Sequence, residues 1–131
     1  MLIRGGTTSV GLAAAAIAKS HGAIVASTTR NSSREKLLRE SAVDQVFIDT
    51  GSIAEQVKEV CAGGVDKLLE LVRTTTLKDS LLCTKKGGIV CMTGIVGNKW
   101  WFDNDWADHH SSAAMYLRSN GMLPPTAQPK K

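Results

Sequence analysis

MLIRGGTTSVGLAAAAIAK, residues 1–19, joins an apolar start to a glycine turn and an alanine-rich segment. Strand, glycine turn and helix is the order found in a phosphate-binding loop. The spacing of a GxGxxG fingerprint falls on Gly6, Thr8 and Gly11, so two of its three glycines are present. We expect Gly6 to permit the tight turn and Gly11 to let the helix pack closely on the strand. Thr8 stands where the middle glycine would meet a pyrophosphate, so the match is incomplete.

Length and composition predict one globular domain. The chain has 131 residues, of which 43% are apolar and 21% charged. Its net charge of +4 comes from scattered basic residues, which argues against a nucleic-acid partner. The apolar run of residues 10–18 is too short to span a membrane and lacks a cleavage site, so we expect a cytoplasmic protein without a membrane partner.

Residues that could bind a metal do not have the spacing of a metal site. The cysteines Cys61, Cys83 and Cys91 form no CxxC pair and have no nearby histidine, which predicts reduced thiols. His109 and His110 have neighbouring aspartates at no recognised ligand spacing, so a surface or interface role is favoured. We therefore expect no metal.

Strand and helix patterns alternate after the glycine turn, which predicts a parallel sheet because parallel strands need crossover connections. Capping boxes at Ser32–Glu35 and Ser52–Glu55 mark two helix starts. Predicted strands are residues 1–3, 23–26, 46–48, 67–72, 89–92 and 113–117, and predicted helices are 12–19, 33–41, 52–61 and 76–82. The fold class is therefore α/β, a doubly wound parallel sheet of about six strands with helices on both faces.

Ligands of such sheets bind beyond the carboxyl ends of the strands. We expect residues 28–30, 49–50, 72–74 and 93–96 to line one crevice there, with the glycine loop at its centre. The loop would hold a pyrophosphate at the helix N-terminus. The candidate residues are Gly6, Thr7, Thr8, Ser9, Val10 and Gly11. The alternative is a plain strand-to-helix turn without a ligand.

The segment after the second predicted strand has no carboxylate to bind ribose hydroxyls. Thr29, Arg30 and Arg34 lie there, and a guanidinium suits a ribose 2′-phosphate because it offers paired donors. NADPH is therefore favoured over NADH, unless Arg30 is only a solvated turn residue. We expect Glu70, inside an apolar strand, to reach solvent at the strand end and to have no catalytic role.

Three segments together resemble a known family: IRGGTTSVGLAAAAIAKSHGA at 3–23, GGVDKLLELVRTTTLKDSL at 63–81 and KKGGIVCMTGIVG at 85–97. The chain is similar to the nucleotide-binding domain of the medium-chain dehydrogenase/reductase superfamily, in its quinone-oxidoreductase-like, zinc-independent branch. The resemblance implies a Rossmann fold and metal-free hydride transfer from NADPH to a quinone, enone or similar carbonyl compound. It also implies that Thr93, Gly94 and Ile95 approach the nicotinamide, and that the strand at 113–117 pairs with a second subunit in a homodimer.

The chain departs from the family at several points. The family has a substrate domain before the glycine loop, whereas this chain starts at the first strand. Arg73 stands where the family usually has glycine, and Lys86 where it usually has proline; we expect Arg73 near the nicotinamide side of the crevice. Residues 1–120 are predicted to be a dinucleotide-binding domain, and 121–131, which hold all three prolines, a flexible tail.

Three functions follow as hypotheses. The first is the NADPH-binding domain of an oxidoreductase, with no catalytic residue assigned. The second is a truncated, non-catalytic nucleotide-binding or assembly module. The third is a methyltransferase using S-adenosylmethionine, which would need a carboxylate after the second strand, where Arg30 stands instead.

Overall fold

The computed structural model describes residues 1–93. They form a parallel sheet of five strands in the order β3-β2-β1-β4-β5. The strands are β1 (Leu2–Arg4), β2 (Ala26–Thr29), β3 (Gln45–Ile48), β4 (Val65–Glu70) and β5 (Thr84–Met92). The helices are α1 (Ser9–Ser20), α2 (Glu35–Glu40), α3 (Ala54–Val60) and α4 (Thr74–Cys83), with a 3-10 turn at Ser32–Arg34.

Apolar side chains pack on both faces of this sheet. On one face, α1 and α2 cover a cluster that includes Ile3, Ala15 and Leu38. On the other face, α3 and α4 cover a cluster that includes Leu2 and Val57. The predicted α/β class, with a doubly wound parallel sheet and helices on both faces, is confirmed. Five strands are described, and the sixth, predicted at residues 113–117, lies outside the described residues.

Strand β2 begins at Ala26, the last residue of the predicted range of 23–26. Ile24, in the middle of that range, is 78% exposed, while Ser27, Thr28 and Thr29 are buried. Their burial is possible because their hydroxyls bond to main chain: the Ser27 hydroxyl donates to the Ile3 carbonyl, and Thr28 accepts from the Gly5 amide. An apolar pattern cannot identify a strand whose buried residues are polar.

Helix α3 is capped by a residue far from it in sequence. The predicted capping box placed Ser52 at its start, but the helix begins at Ala54 after an N-cap at Ile53. The Asp79 carboxylate, from α4, accepts from the Ile53 amide at 2.9 Å and the Ala54 amide at 3.2 Å. This tertiary cap satisfies two amides that the local sequence leaves without an acceptor.

Candidate functional site

The turn of the glycine loop depends on Gly5, and this corrects the role predicted for Gly6. Gly5 has a φ of +90°, a conformation that residues with side chains rarely adopt. Gly6 is required for a different reason, since a Cβ on it would lie 1.6 Å from the Ser27 Oγ. The amide of Gly6 also donates to the Thr28 carbonyl. Both glycines therefore hold the loop against β2.

Gly11 allows helix α1 to touch the loop, as predicted. A Cβ on Gly11 would lie 2.7 Å from the Cα of Gly6 and 2.8 Å from the Gly5 carbonyl oxygen. Real Cβ atoms essentially never approach so closely, and these neighbours are main-chain atoms that cannot rotate away. The N-terminus of α1 is therefore held directly against the end of β1.

Thr8 is the N-cap of α1, and its hydroxyl is occupied within the loop. It accepts from the Gly11 amide and donates to the Gly5 carbonyl, each at 3.0 Å. Thr8 is one of the residues predicted to bind the pyrophosphate, but its hydroxyl hydrogen already has an acceptor within the loop. Thr8 instead fixes the loop conformation.

The amides of Ser9 and Val10 form the open part of the α1 N-terminus. They have no intrahelical acceptor by position, and none is found for them among the described residues. Both residues are exposed, and the first turn of α1 contains no acidic side chain. Two free amides at the positive end of a helix dipole suit an anionic oxygen, so this loop fits a pyrophosphate.

A buried ion pair network lies at the end of β1, and we call it the Arg4 cluster: Arg4, Asp49, Asp79, Ser80 and Glu70. The Arg4 guanidinium has no exposed surface. Its Nε and Nη2 donate to the two Asp49 carboxylate oxygens, both at 2.9 Å, and its Nη1 donates to Asp79 at 2.8 Å. The cluster thereby joins the ends of β1 and β3 to helix α4.

These contacts determine the charge state of the network. Burial opposes the Arg4 charge, but the hydrogen bonds and charges of Asp49 and Asp79 outweigh it and raise the pKa of Arg4. Burial likewise acts to raise the pKa of Asp49, but the hydrogen bond from Arg4 and that from the Gly51 amide leave this pKa lowered. Arg4 and Asp49 are therefore an ionised pair.

Glu70 connects the Arg4 cluster to the chain that follows β4. The Ser80 hydroxyl donates to one Glu70 oxygen at 2.5 Å, and the Val72 amide donates to the other at 2.8 Å. Glu70 is fully buried, so the expectation that it reaches solvent is wrong. Sequence reasoning also missed the interaction between Arg4 and Asp79. The available signals were that Arg4 is a charged residue directly after an apolar strand pattern, and that Asp79 is a charged residue within a predicted helix.

A pocket of about 260 Å³ opens above this cluster, where β2, β3 and β4 end. It contains several of the residues predicted to line one crevice. Its lining residues are Arg30, Asp49, Thr50, Gly51, Val72, Arg73, Thr75 and Thr76. Arg73 thus lies at the same pocket as Arg30, whereas we expected it near the nicotinamide side.

The other residues predicted around the ribose phosphate are not at this pocket. Thr29 is buried, and its hydroxyl bonds to the main chain of Asn31. Arg34 is exposed in the 3-10 turn and is not a lining residue. Of the three residues, the structure places only Arg30 at the pocket.

The pocket has a positive electrostatic character. Its single carboxylate, Asp49, forms an ion pair with the buried Arg4, whereas two arginines line the pocket. Arg30 and Arg73 are both exposed, and neither guanidinium has a hydrogen-bond or ion-pair partner among residues 1–93. The pocket can therefore accept an anionic group.

Predicted residues at the nicotinamide side are mostly outside the described region. Thr93 is exposed, and its amide donates to the Glu70 carbonyl at 3.3 Å. Gly94 and Ile95 lie beyond the described residues, as do His109, His110 and the predicted tail. Their assignments stay predictions.

Metal-ligating side chains do not cluster in the described part of the chain, and its cysteines are free. Across residues 1–93, no three His, Cys, Asp or Glu side chains form a group that could hold a metal ion. All three cysteines are free, and burial raises the pKa of Cys83 to about 12. In the same residues no helix has the length and apolar character needed to cross a bilayer.

Comparisons with known proteins agree with this architecture. A family model described as zinc-binding dehydrogenase matches residues 9–105. Among solved structures, AibC is 28% identical with a TM-score of 0.67, and the match covers 74% of this chain and 29% of AibC. A comparison with curated proteins found no match.

Two further structures share the fold at lower identity. Escherichia coli quinone oxidoreductase complexed with NADPH is 20% identical, with a TM-score of 0.65 and coverage of 98% of this chain and 37% of that one. The CurK enoyl reductase is 22% identical, with a TM-score of 0.67 and coverage of 99% and 46%. This chain spans less than half the length of each of the three structures.

Proposed function

The chain belongs to the zinc-binding dehydrogenase family, and from this membership we propose that it is the NADPH-binding domain of an oxidoreductase. The observation that carries the proposal is that two anion-binding features lie at the same end of the sheet, where the parallel strands end. Free amides lie at the start of α1, and a cationic pocket lies where the neighbouring strands end. A dinucleotide with a ribose phosphate has a pyrophosphate for the free amides and a phosphate monoester for the cationic pocket.

Each feature has a defined task in this proposal. The amides of Ser9 and Val10 bind the pyrophosphate, while Gly6 and Gly11 keep side chains out of the space beside it. The Arg30 guanidinium binds the ribose 2′-phosphate with paired hydrogen bonds. When bound, the cofactor supplies a hydride, and the protein supplies binding and orientation.

The substrate class is proposed from the names of structurally similar proteins. These include a quinone oxidoreductase complexed with NADPH and an enoyl reductase. We propose a quinone, enone or similar carbonyl compound as hydride acceptor. The family name mentions zinc, but the described residues do not fit a zinc site, so no step of the proposal involves a metal.

Titration with NADPH and NADH, followed by cofactor fluorescence, tests the proposal. We expect NADPH to bind more tightly, and Arg30→Gln to reduce its affinity roughly tenfold or more, because a charge-assisted hydrogen bond to phosphate is lost. NADH affinity should change little. Equal affinity of the unaltered chain for the two cofactors would contradict the assignment of Arg30, and absence of binding would contradict the function.

Arg39→Gln is a matched control. It removes the same charge from an exposed arginine that pairs with Glu35 within α2, away from the pocket. It should preserve the preference for NADPH. Turnover of a quinone by this chain would exclude the alternative of a non-catalytic module.

A further inference from the structure

Two arginines from different strand ends lie at one pocket without partners. Arg30 directly follows β2, and Arg73 directly precedes α4 in the connection from β4. Strand β1 lies between β2 and β4 in the sheet, so the two arginines approach the pocket from opposite sides of β1. Two unpaired guanidinium groups at one pocket repel each other unless an anion lies between them.

The pocket lining contains one carboxylate against the two guanidinium groups, so its positive charges outnumber its negative charge. Both oxygens of that carboxylate, Asp49, already accept hydrogen bonds from the buried Arg4 guanidinium. The other lining residues are neutral. The first turn of α4 contains no acidic side chain, and its N-terminal residues Thr75 and Thr76 contribute the positive end of the helix dipole.

The backbone of Arg73 is held in place. The Thr76 amide and hydroxyl both donate to the Arg73 carbonyl, at 3.3 and 2.9 Å. One residue earlier, the Val72 amide is bound by the buried Glu70 carboxylate. Arg73 therefore extends its side chain from a fixed point of the main chain, which lowers the entropic cost of ligand binding.

We propose that Arg73 is a second specificity-determining residue, which binds the ribose phosphate monoester of NADPH together with Arg30. This inference rests on the proposed function. A phosphate monoester is the suitable anion, because its three terminal oxygens can accept from two guanidinium groups at once. The pyrophosphate is a poorer candidate, because no residue of the glycine loop lines this pocket.

The test is the ratio of the NADH and NADPH dissociation constants, measured by cofactor fluorescence on the 131-residue chain and its variants. We expect Arg73→Gln to weaken NADPH binding roughly tenfold, the scale of one charge-assisted contact, with a change in NADH affinity of less than about twofold. Arg73→Lys should restore part of the loss, since it keeps the charge but not the paired donors. Because Arg73 is exposed, thermal unfolding should be unchanged in both variants.

Lys86→Gln is the control for net charge. Lys86 is exposed near the start of β5, at the end of the sheet opposite the pocket. The Lys86→Gln replacement should therefore leave the ratio of the NADH and NADPH dissociation constants unchanged. The proposal is wrong if Arg73→Gln weakens NADPH and NADH equally, or changes neither. If NADPH preference persists in Arg73→Gln but disappears in Arg30→Gln, the proposed function stands and this inference fails. Absence of binding of either cofactor to the unaltered chain contradicts both.

Discussion

Gly11 shows how one missing side chain determines the position of a helix. In an exposed helix, replacing glycine by alanine gains up to about 1 kcal/mol of stability through helix propensity. At Gly11 the added Cβ would meet the main chain of Gly5 and Gly6, so the steric effect opposes the propensity. Steric contact dominates because the obstructing atoms are backbone.

We therefore predict that Gly11→Ala lowers the free energy of unfolding by about 1–3 kcal/mol, the usual loss on overpacking. It should also weaken NADPH binding, because α1 must shift away from the loop. Urea unfolding and cofactor titration measure the two effects. Ala13→Gly, at an exposed position of the same helix, is the control: it should lose about 1 kcal/mol from propensity without loss of binding. A stabilised Gly11→Ala variant would contradict the close approach.

At the scale of elements, Asp79 joins three parts of the fold. Its carboxylate lies on α4, caps α3 through the Ile53 and Ala54 amides, and bonds to Arg4 of β1. These partners are buried or nearly so, so water cannot replace the carboxylate when it is removed. Asp79 therefore fixes the relative positions of both helices on this face of the sheet.

Asp79→Ala should lower the free energy of unfolding by about 3–5 kcal/mol, because it removes a charged acceptor from the buried Arg4 guanidinium and leaves two buried amides without acceptors. Chemical denaturation measures this loss. Asp66→Ala provides the comparison: the Asp66 side chain is 82% exposed and lies 3.8 Å from Lys85, so we expect a loss of at most about 1 kcal/mol. Similar losses for the two variants would contradict the role of Asp79.

At the scale of the whole molecule, the Arg4 cluster links stability to pH. The pKa of Asp49 is lower in the folded chain than its ordinary value near 4 in an unfolded chain. Its ionisation therefore stabilises the fold above that pH, and this contribution disappears as the pH falls through the folded-state pKa.

We predict that Asp49→Asn is less stable than the unaltered chain at pH 7, and that the difference shrinks steadily below pH 4. Urea unfolding at several pH values between about 7 and 2.5 covers this range. A difference that is constant with pH would show that Asp49 does not contribute through its charge.

The sequence predicts the overall fold better than the site. Alternating apolar runs and helix patterns are local features of the sequence. They therefore identify the α/β class and the helical crossovers that connect parallel strands. The hydroxyls of Ser27 and Thr28 are buried with hydrogen bonds to β1 and to the glycine loop, and Asp79 caps a helix distant in sequence. Such partners are brought together only by the tertiary structure. For the same reason, the sequence indicates that Arg30 and Arg73 belong to one crevice but does not indicate that they lie at the same pocket within it.

The central position of β1 has a consequence for the order of folding. Its neighbours in the sheet are β2, which follows after one helix, and β4, which lies far along the chain. Contacts between β1 and β4 close a long loop and therefore form at a higher entropic cost than contacts between β1 and β2. During synthesis, β1 could pair early with β2 and β3, but one of its edges would remain open until β4 emerged. The Arg4 guanidinium could pair with Asp49 once β3 had formed, but it would lack its contact with Asp79, which follows β4 in the chain, so completion of the Arg4 cluster is a late event of folding.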